Sequence, residues 1–491
     1  MLLAITVLLL LSISHTTVCS PSTTIGILRP TNCSCSMPEG SRPQLTVNCY
    51  GRTYVKPGQL RQELDALLSS NLTHGRLIQL SITQSTLTHV PLSVCRLTTL
   101  TQLHLDNNRL TRLPGNCFTN LTALTSLSAP HNNITELQDG LFDGLHQLQT
   151  LQLSYNRISS IGLRVFNGSA NLTSLRDVDV YENRIETLEP WPLYVGFNGK
   201  QGYKTPVDVS SNNINSFTNR MGWKAECGTR KVYVDLLLNR NPIKHITDIL
   251  RGWNISLVTW FCLSPHIDLA SSYIHLQSVK LDCDCVDYNI FRLVRSGHVG
   301  ILYRVYCNSP ASLSNKAVAS VPLDQFVCEV TEHCPPGCRC IHRPANASLH
   351  IDCSNSNIAV LPSELPKLPK SNTKYKLDFS NNRLLRRLEH RDYFVNTTIL
   401  GVSNCNLETI DFEMWNVLAN MTQVFLDGNR LQSLPYSIAK VNLGKTKVDL
   451  SRNPWKCACD DSWMSSWLKS VRNDVIHPDS CLLYTSDAAD E

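Results

Sequence analysis

Eight cysteines near the middle of the chain stand close enough together to do thiol chemistry. Cys283, Cys285, Cys307 and Cys328 run as C-x-C, C-x-x-P, C; Cys334, Cys338, Cys340 and Cys353 follow at once as C-P-P-G-C-R-C, then C. Four such thiols can hold zinc, or they can pair as disulfides in an oxidising compartment. The long third interval of each set and the export signals elsewhere in the chain favour disulfides, although spacing alone leaves three pairings open for each set of four. The fifteen histidines show no metal-ligand spacing. With no G-x-S-x-G or phosphate loop either, no metal, cofactor or catalytic activity is expected.

The chain of 491 residues is 42% apolar and 17% charged, with a formal charge of +5, so it can bury large cores. No concentrated Lys/Arg run is present, and nucleic acid is not expected as a partner. Residues 2 to 13 form an apolar run too short to span a bilayer comfortably, followed by small polar residues, the pattern of a signal peptide over 1–20; the alternative is an uncleaved anchor. No other run is long enough for a membrane helix. Ten N-x-S/T sequons, at Asn32, Asn71, Asn120, Asn133, Asn167, Asn171, Asn254, Asn346, Asn396 and Asn420, mark candidate glycosylation sites and give the same export address as the twenty cysteines.

A repeated unit must position these groups. The template L-x-x-L-x-L-x-x-N-x-L-x-x-L is met in full by LTQLHLDNNRLTRL (100–113) and, with Ile for Leu, by LQTLQLSYNRISSI (148–161). Its turn position recurs at Ser85, Asn108, Asn132, Asn156, Asn183, Asn212 and Asn241, with a poor eighth candidate at Ser272, and resumes at Asn382, Cys405, Asn429 and Asn453. In L-x-L the two leucines of a short strand point inward and the residue between them points outward, so stacked copies make one parallel sheet. A turn asparagine can tie neighbouring coils, whereas Cys405 keeps only a weak S–H donor and should tie its coil less well. Phe118, Phe142, Phe166 and Phe394 are expected to fill the core beneath the outer segments. The fold class predicted is an α/β leucine-rich repeat solenoid (horseshoe) with short parallel strands, in two blocks in series, each with disulfide-bonded N- and C-terminal caps, because raw ends of a stack must be covered.

Turn positions first lie 23 to 24 residues apart and then open to 27 and 29. The added length falls in 189–206 and in 218–233, which contains Trp223 and Cys227; it is either a partner-binding loop or tolerated surface length. The outward strand positions include His104, Asp106, Gln152, Arg176, Asp177, Asp179, Tyr181, Glu182 and Asp208. Asp106, Arg176, Asp177, Asp179, Tyr181, Glu182 and Asp208 are the candidate ligand-binding residues: an acidic cluster that meets a basic protein surface, or else a merely solvated face. Cys227 and Cys262 are a candidate pair, and Cys95 and Cys117 are either small core residues or a local pair.

The caps and repeats together resemble extracellular leucine-rich repeat proteins, and their serial form resembles the ectodomain of an invertebrate Toll-type receptor with multiple cysteine clusters. CPPGCRCIHRPANASLHIDCSNSNIAVLPSELP (334–366) resembles the juncture of that family, and NPWKCACDDSWMSSWL (453–468) its membrane-proximal cap. The resemblance implies pairing of Cys283 with Cys307, Cys285 with Cys328, Cys334 with Cys340 and Cys338 with Cys353. It implies a signal peptide at 1–20, an irregular N-terminal cap at 21–73 in which Cys33, Cys35 and Cys49 fit and the expected upstream cysteine is missing, Cys19 supplying it only if the signal is cut before that residue, and a first repeat block at 74–281. A C-terminal cap at 282–329, a second N-terminal cap at 332–354, a second block at 355–455 and an incomplete cap at 456–480 complete the order. In the family a transmembrane helix and a cytoplasmic signalling domain come next. The final string CLLYTSDAADE (481–491) looks instead like a translated sequencing adapter, which would leave Cys457 and Cys459 without their partners. The function so implied is that of a ligand-binding receptor ectodomain in innate immune or developmental signalling, working on the extracellular side of the plasma membrane as a dimer with a protein or microbial ligand on the solenoid surface. The alternatives are a secreted, Slit-like adhesion or guidance protein and a soluble decoy.

Overall fold

A computed structural model describes residues 77–166, 174–192, 205–222, 234–256, 273–293, 304–436 and 446–456, together with the strands Ile25–Leu28, Cys33–Ser36, Leu45–Tyr50 and Val475–Ile476 and a few single positions. Cys19, Trp223, Cys227, Cys262, Ser272, Cys457, Cys459 and residues 481–491 lie outside the described residues, as do the sequons at Asn32, Asn71, Asn167 and Asn171. Chain contacts divide the protein into two units, Met1–Asp282 with Asn289–Ser320, and Cys283–Tyr288 with Val321–Glu491.

In the first unit the L-x-L motif becomes a strand of seven residues in the first coil, Leu77–Thr83, and of three or four in each later one, and the strands stack into an eleven-stranded sheet. Its first three strands, Ile25–Leu28, Cys33–Ser36 and Leu45–Tyr50, pair antiparallel; from Leu45–Tyr50 onward every pairing is parallel. One residue per strand, Leu80, Leu103, Leu127, Leu151, Val178, Val207 and Leu236, is fully buried in a row down the core, as period-two alternation demands. The second unit opens the same way. Cys328–Glu329, Arg339–Arg343 and Ser348–Asp352 pair antiparallel before the parallel strands Lys374–Asp378, Thr397–Gly401, Gln423–Phe425 and Lys447–Asp449. An antiparallel hairpin laid on the first parallel strand covers the row of unpaired N–H and C=O groups that an open edge would expose.

The turn asparagines hold the coils together by one repeated set of bonds. Asn132 accepts from the Leu110 N–H at 3.0 Å, and its Nδ2 donates to Leu105 O at 2.9 Å, Ala129 O at 3.2 Å and Pro130 O at 3.2 Å. Asn108, Asn156, Asn183, Asn212, Asn241, Asn429 and Asn453 repeat the pattern. To let the chain swing from strand to turn, the preceding residue takes a positive φ: Asn107, His131, Tyr155, Glu182, Ser211 and Arg240 all lie between 54° and 56°. At Gly428, φ +67°, a Cβ would meet Asn404 Oδ1 at 2.2 Å, so that coil accepts no side chain there.

Two departures have local causes. The last strand of that eleven-stranded sheet is Tyr273–His275, and the turn after it falls at Ser278 (φ 61°) and Val279, not at Ser272 as expected, because the turn comes after the strand and Ser272 precedes it. In the second unit Cys405 donates its thiol to Phe379 O at 3.3 Å and Ser403 O at 3.7 Å but offers no amide oxygen to the coil before it. That coil carries one extra residue: Leu384 turns outward with 58% of its surface exposed, Leu385 takes the inward place, and the Leu385 N–H is satisfied locally by Asn382 O at 3.0 Å. Cys405 is buried and unpaired, and burial pushes its thiol pKa up.

On the outer side Phe118, Phe142, Phe166 and Phe394 are all buried. Where the coils lengthen, tryptophans join them: Trp191 stacks on Phe166 at 4.3 Å, and Trp253 meets the Phe217 ring edge-on at 5.5 Å. The helix Ile246–Gly252 lies against Ser216–Phe217 so closely that a Cβ on Gly252 would stand 2.1 Å from Phe217 O.

Disulfides join Cys285 to Cys328 (Cα–Cα 5.1 Å), Cys334 to Cys340 (6.0 Å) and Cys338 to Cys353 (4.2 Å). Cys49, Cys283 and Cys307 are each disulfide-bonded. Cys95 and Cys117 form a local pair, their Cα atoms 4.5 Å apart across adjacent coils. Among the described residues no helix is long and apolar enough to cross a membrane.

Candidate functional site

Of the candidate ligand residues, Asp177, Asp179 and Asp208 fall on the outward face of the first unit's sheet, where the register sorts the side chains into rows, while Asp106, Arg176, Tyr181 and Glu182 flank the strands. One row runs Ser81, His104, Ser128, Gln152, Asp179, Asp208; beside it runs Gln79, Gln102, Ser126, Thr150, Asp177. Both rows start neutral and become acidic at the strand Asp177–Asp179. Asp179 and Asp208 are direct cross-strand partners, and side chains so placed lie about 5 Å apart.

Three of the carboxylates are anchored by hydrogen bonds. Asp179 Oδ1 accepts from the Tyr181 N–H at 2.9 Å and Asp208 Oδ1 from the Ser210 N–H at 2.8 Å, while Asp106 Oδ1 accepts from Ser128 Oγ at 2.7 Å. Partial burial, then the charges of Asp179 and Asp208, raises the pKa of Asp177. Among the described residues none of Asp106, Asp177, Asp179, Glu182 and Asp208 has an ion-pair partner, although Asp235, on the next strand, is met by His275 Nε2 at 2.5 Å. Arg176 precedes its strand and is exposed. Tyr181 and Glu182 lie at the strand's exit.

The raised carboxyl of Asp177 has a consequence for stability. Its ionised form costs free energy only in the folded state, so the cost is absent at low pH and appears as pH rises through the folded pKa. Asp177→Asn therefore stabilises the protein near pH 7 by something under about 1 kcal/mol, and the gain vanishes below about pH 4. Thermal melts of both proteins at the two pH values check it; a gain that persists in acid would rule out charge repulsion as its source.

Sequence reasoning missed the neighbours of this acidic patch. His131 and Tyr155, both at left-handed turn positions, stack with ring centroids 4.3 Å apart and planes 11° from parallel, and Tyr181 meets Tyr155 edge-on at 5.4 Å. Tyr155 remains 43% exposed. Their only signal in the sequence is their place directly before a turn asparagine. An exposed aromatic group bordered by Asp179 and Glu182 presents π-faces and carboxylates together, a combination that suits a guanidinium or ammonium group.

Of the described sequons, Asn120, Asn254, Asn346 and Asn420 are exposed, and Asn133 and Asn396 are half-buried. None lies within a strand. Among the described residues no group of three or more His, Cys, Asp or Glu side chains is placed to hold a metal.

The coils, the turn asparagines and the capping disulfides define a leucine-rich repeat solenoid, and residues 76–134 and 124–176 match the family model described as leucine rich repeat. More particularly, the chain resembles the ectodomain of Toll. It is 27% identical to protein toll of Drosophila melanogaster over 278 residues, which is 52% of this chain and 23% of that protein. It is also 27% identical over 159 residues to leucine-rich repeat-containing protein 3 of Danio rerio, covering 31% of this chain and 54% of that protein. Among solved structures, Toll in its Drosophila complex with Spatzle superposes with a TM-score of 0.55 at 24% identity, over 82% of this chain and 55% of that one. A glycosylated form of the same complex gives 0.57 at 22% identity, over 83% and 59%. The chain thus spans under a quarter of Toll's length, and the solved complexes establish likeness of fold.

Proposed function

We propose that the chain is the ligand-binding ectodomain of a Toll-type receptor, and that the strand face around Asp177, Asp179 and Asp208 takes the basic surface of a protein ligand. The observation that carries this reading is the row of carboxylates that form no ion pair among the described residues, bordered by the exposed His131 and Tyr155 rings and the half-buried Tyr181. Like charges held together by the fold are relieved when a ligand supplies the counter-charge, so binding gains from the same repulsion that burdens the free protein. A ligand of the Spatzle kind fits the likeness to Toll, whose solved complex contains it. Ligand that bridges two copies would draw them into a dimer by mass action, on the extracellular side of the plasma membrane. N-glycans at the ten sequons and a Cys283–Cys307 bridge belong to the same reading. The work of such a molecule is recognition rather than catalysis.

Asp177→Lys with Asp179→Lys tests the site. The double variant should weaken binding of a Spatzle-type protein by about thirtyfold or more, the effect of placing like charges across an interface. Surface plasmon resonance on the secreted chain reads the affinity, and a melting curve confirms that the variant folds. Unchanged affinity in a folded variant would remove this face from the proposal.

A further inference from the structure

The second unit carries a separate corner of positive charge that the ligand reading of the first unit does not use. Strands Arg339–Arg343, Ser348–Asp352 and Lys374–Asp378 lie side by side. Leu349, Ile351, Tyr375 and Leu377 point into the core, so alternation puts the half-buried His350, Lys374 and Lys376 on the outward face, where Ser348 is itself buried. Register sets Arg343 opposite Ser348, Ser348 opposite Lys374, and His350 opposite Lys376. With neighbouring strands about 4.8 Å apart, the three cations fall within roughly 10 Å of one another at one end of the sheet.

The carboxylates on these strands do not neutralise them. Asp352 Oδ1 accepts from the Ser354 N–H at 3.0 Å and its hydroxyl at 2.7 Å, and Asp378 Oδ1 accepts from the Ser380 N–H at 2.9 Å. Both sit at the far end of their strands, two residues beyond His350 and Lys376. Among the described residues Arg343, Lys374 and Lys376 form no ion pair; the nearest pair on these strands joins Arg339 to Glu329 at 3.7 Å. The Arg343 Nε is buried without a hydrogen-bond partner. Burial, then the charges of Lys376 and Arg343, pull the His350 pKa down to about 4, so its ring is neutral; its Nε2 pairs with Ser348 Oγ at 3.1 Å. Lys374 donates to Asn396 Oδ1 at 2.9 Å, which leaves Nδ2 of that sequon, the atom that would bear a glycan, on the other side of the amide.

Unpaired cations at this spacing, with one guanidinium N–H still unsatisfied, suit a chain of repeated anionic groups better than a single small anion, because each charge needs its own counter-charge. The disulfides belong to the secretory route, where the abundant polyanions are sulfated sugars. We propose that Arg343, His350, Lys374 and Lys376 form a docking site for a sulfated polysaccharide.

The full secreted chain is tested on immobilised heparin. Arg343→Gln, Lys374→Gln and Lys376→Gln together should lower affinity by about tenfold or more and flatten its dependence on salt, as loss of charge contacts to a polyanion does. A control with the same charge change, Arg383→Gln, Arg386→Gln and Arg387→Gln, should stay within about twofold, since those residues lie on another segment of the coil. Equal loss in both variants, no loss in the first, retention by fully desulfated heparin, or binding only to phosphatidylserine vesicles would each overturn the proposal. Acetylation of the native chain with and without heparin gives a reading that needs no variant to fold. Lys374 and Lys376 should be protected while the exposed Lys280 of the first unit is not, and equal labelling of all three also overturns it.

Discussion

Asn156→Ala lowers the stability of the first unit by about 3–5 kcal/mol, because it strips partners from several buried groups at once. The Asn156 Oδ1 accepts from the Ile134 N–H at 3.0 Å, and its Nδ2 donates to Ala129 O at 3.0 Å, Leu153 O at 3.0 Å and Ser154 O at 3.2 Å. Alanine fills none of these roles, and the side chain is too deeply set for water to replace it without opening the coil. The comparison that isolates the cause is Cys405→Ala, which removes only weak thiol bonds and costs about 1 kcal/mol or less. Urea unfolding measures both. Hydrogen exchange at Ile134 should accelerate selectively in the Asn156 variant. Equal costs for the two substitutions would mean that coil packing, and not the amide ladder, holds the stack.

Trp253→Ala costs about 3–5 kcal/mol through lost volume, with a further loss from the Leu188 carbonyl left unbonded. The indole is completely buried against Phe217, and its Nε1–H reaches Leu188 O at 2.9 Å. Leu188, Phe217 and Trp253 belong to three successive coils, so one ring ties together the stretch in which the repeats are longest. Trp253→Phe keeps most of the buried area and loses the donor; it should cost only about 1–2 kcal/mol. Thermal melts of the two variants give the ratio. A phenylalanine variant as unstable as the alanine one would assign the effect to the hydrogen bond instead of the volume.

The elements of the repeat were legible because each is local: L-x-L sets the strand, and asparagine five residues after the inward centre, as in Leu127 and Asn132, sets the turn. The weakness at Cys405 was equally readable from what a thiol cannot accept. Its effect on the neighbouring coil was not. The extra residue that turns Leu384 outward occupies the coil before Cys405 and becomes visible only when the coils are placed in register. Val279 was hidden because an apolar residue carries no turn signal. The Cys95–Cys117 bond needed the distance between two adjacent coils.

The same limit applies to the sites. Alternation along single strands picked out Asp177, Asp179 and Asp208, but the aromatic border at His131 and Tyr155 depends on stacking between coils at positions outside the strand pattern. The basic corner was further from reach, since Arg343 and Lys374 come to flank Ser348 only after an antiparallel turn folds one strand back beside its neighbour.

That turn has a bearing on how the molecule is made. In each unit the hairpin occupies the N-terminal edge of the sheet, so strands can be added from one side only. A chain emerging N-terminus first meets a finished edge, and each new coil finds its template already in place before the next coil has left the ribosome. Assembly then runs in the direction of synthesis, and the raw end of the growing stack is always the youngest part of the chain.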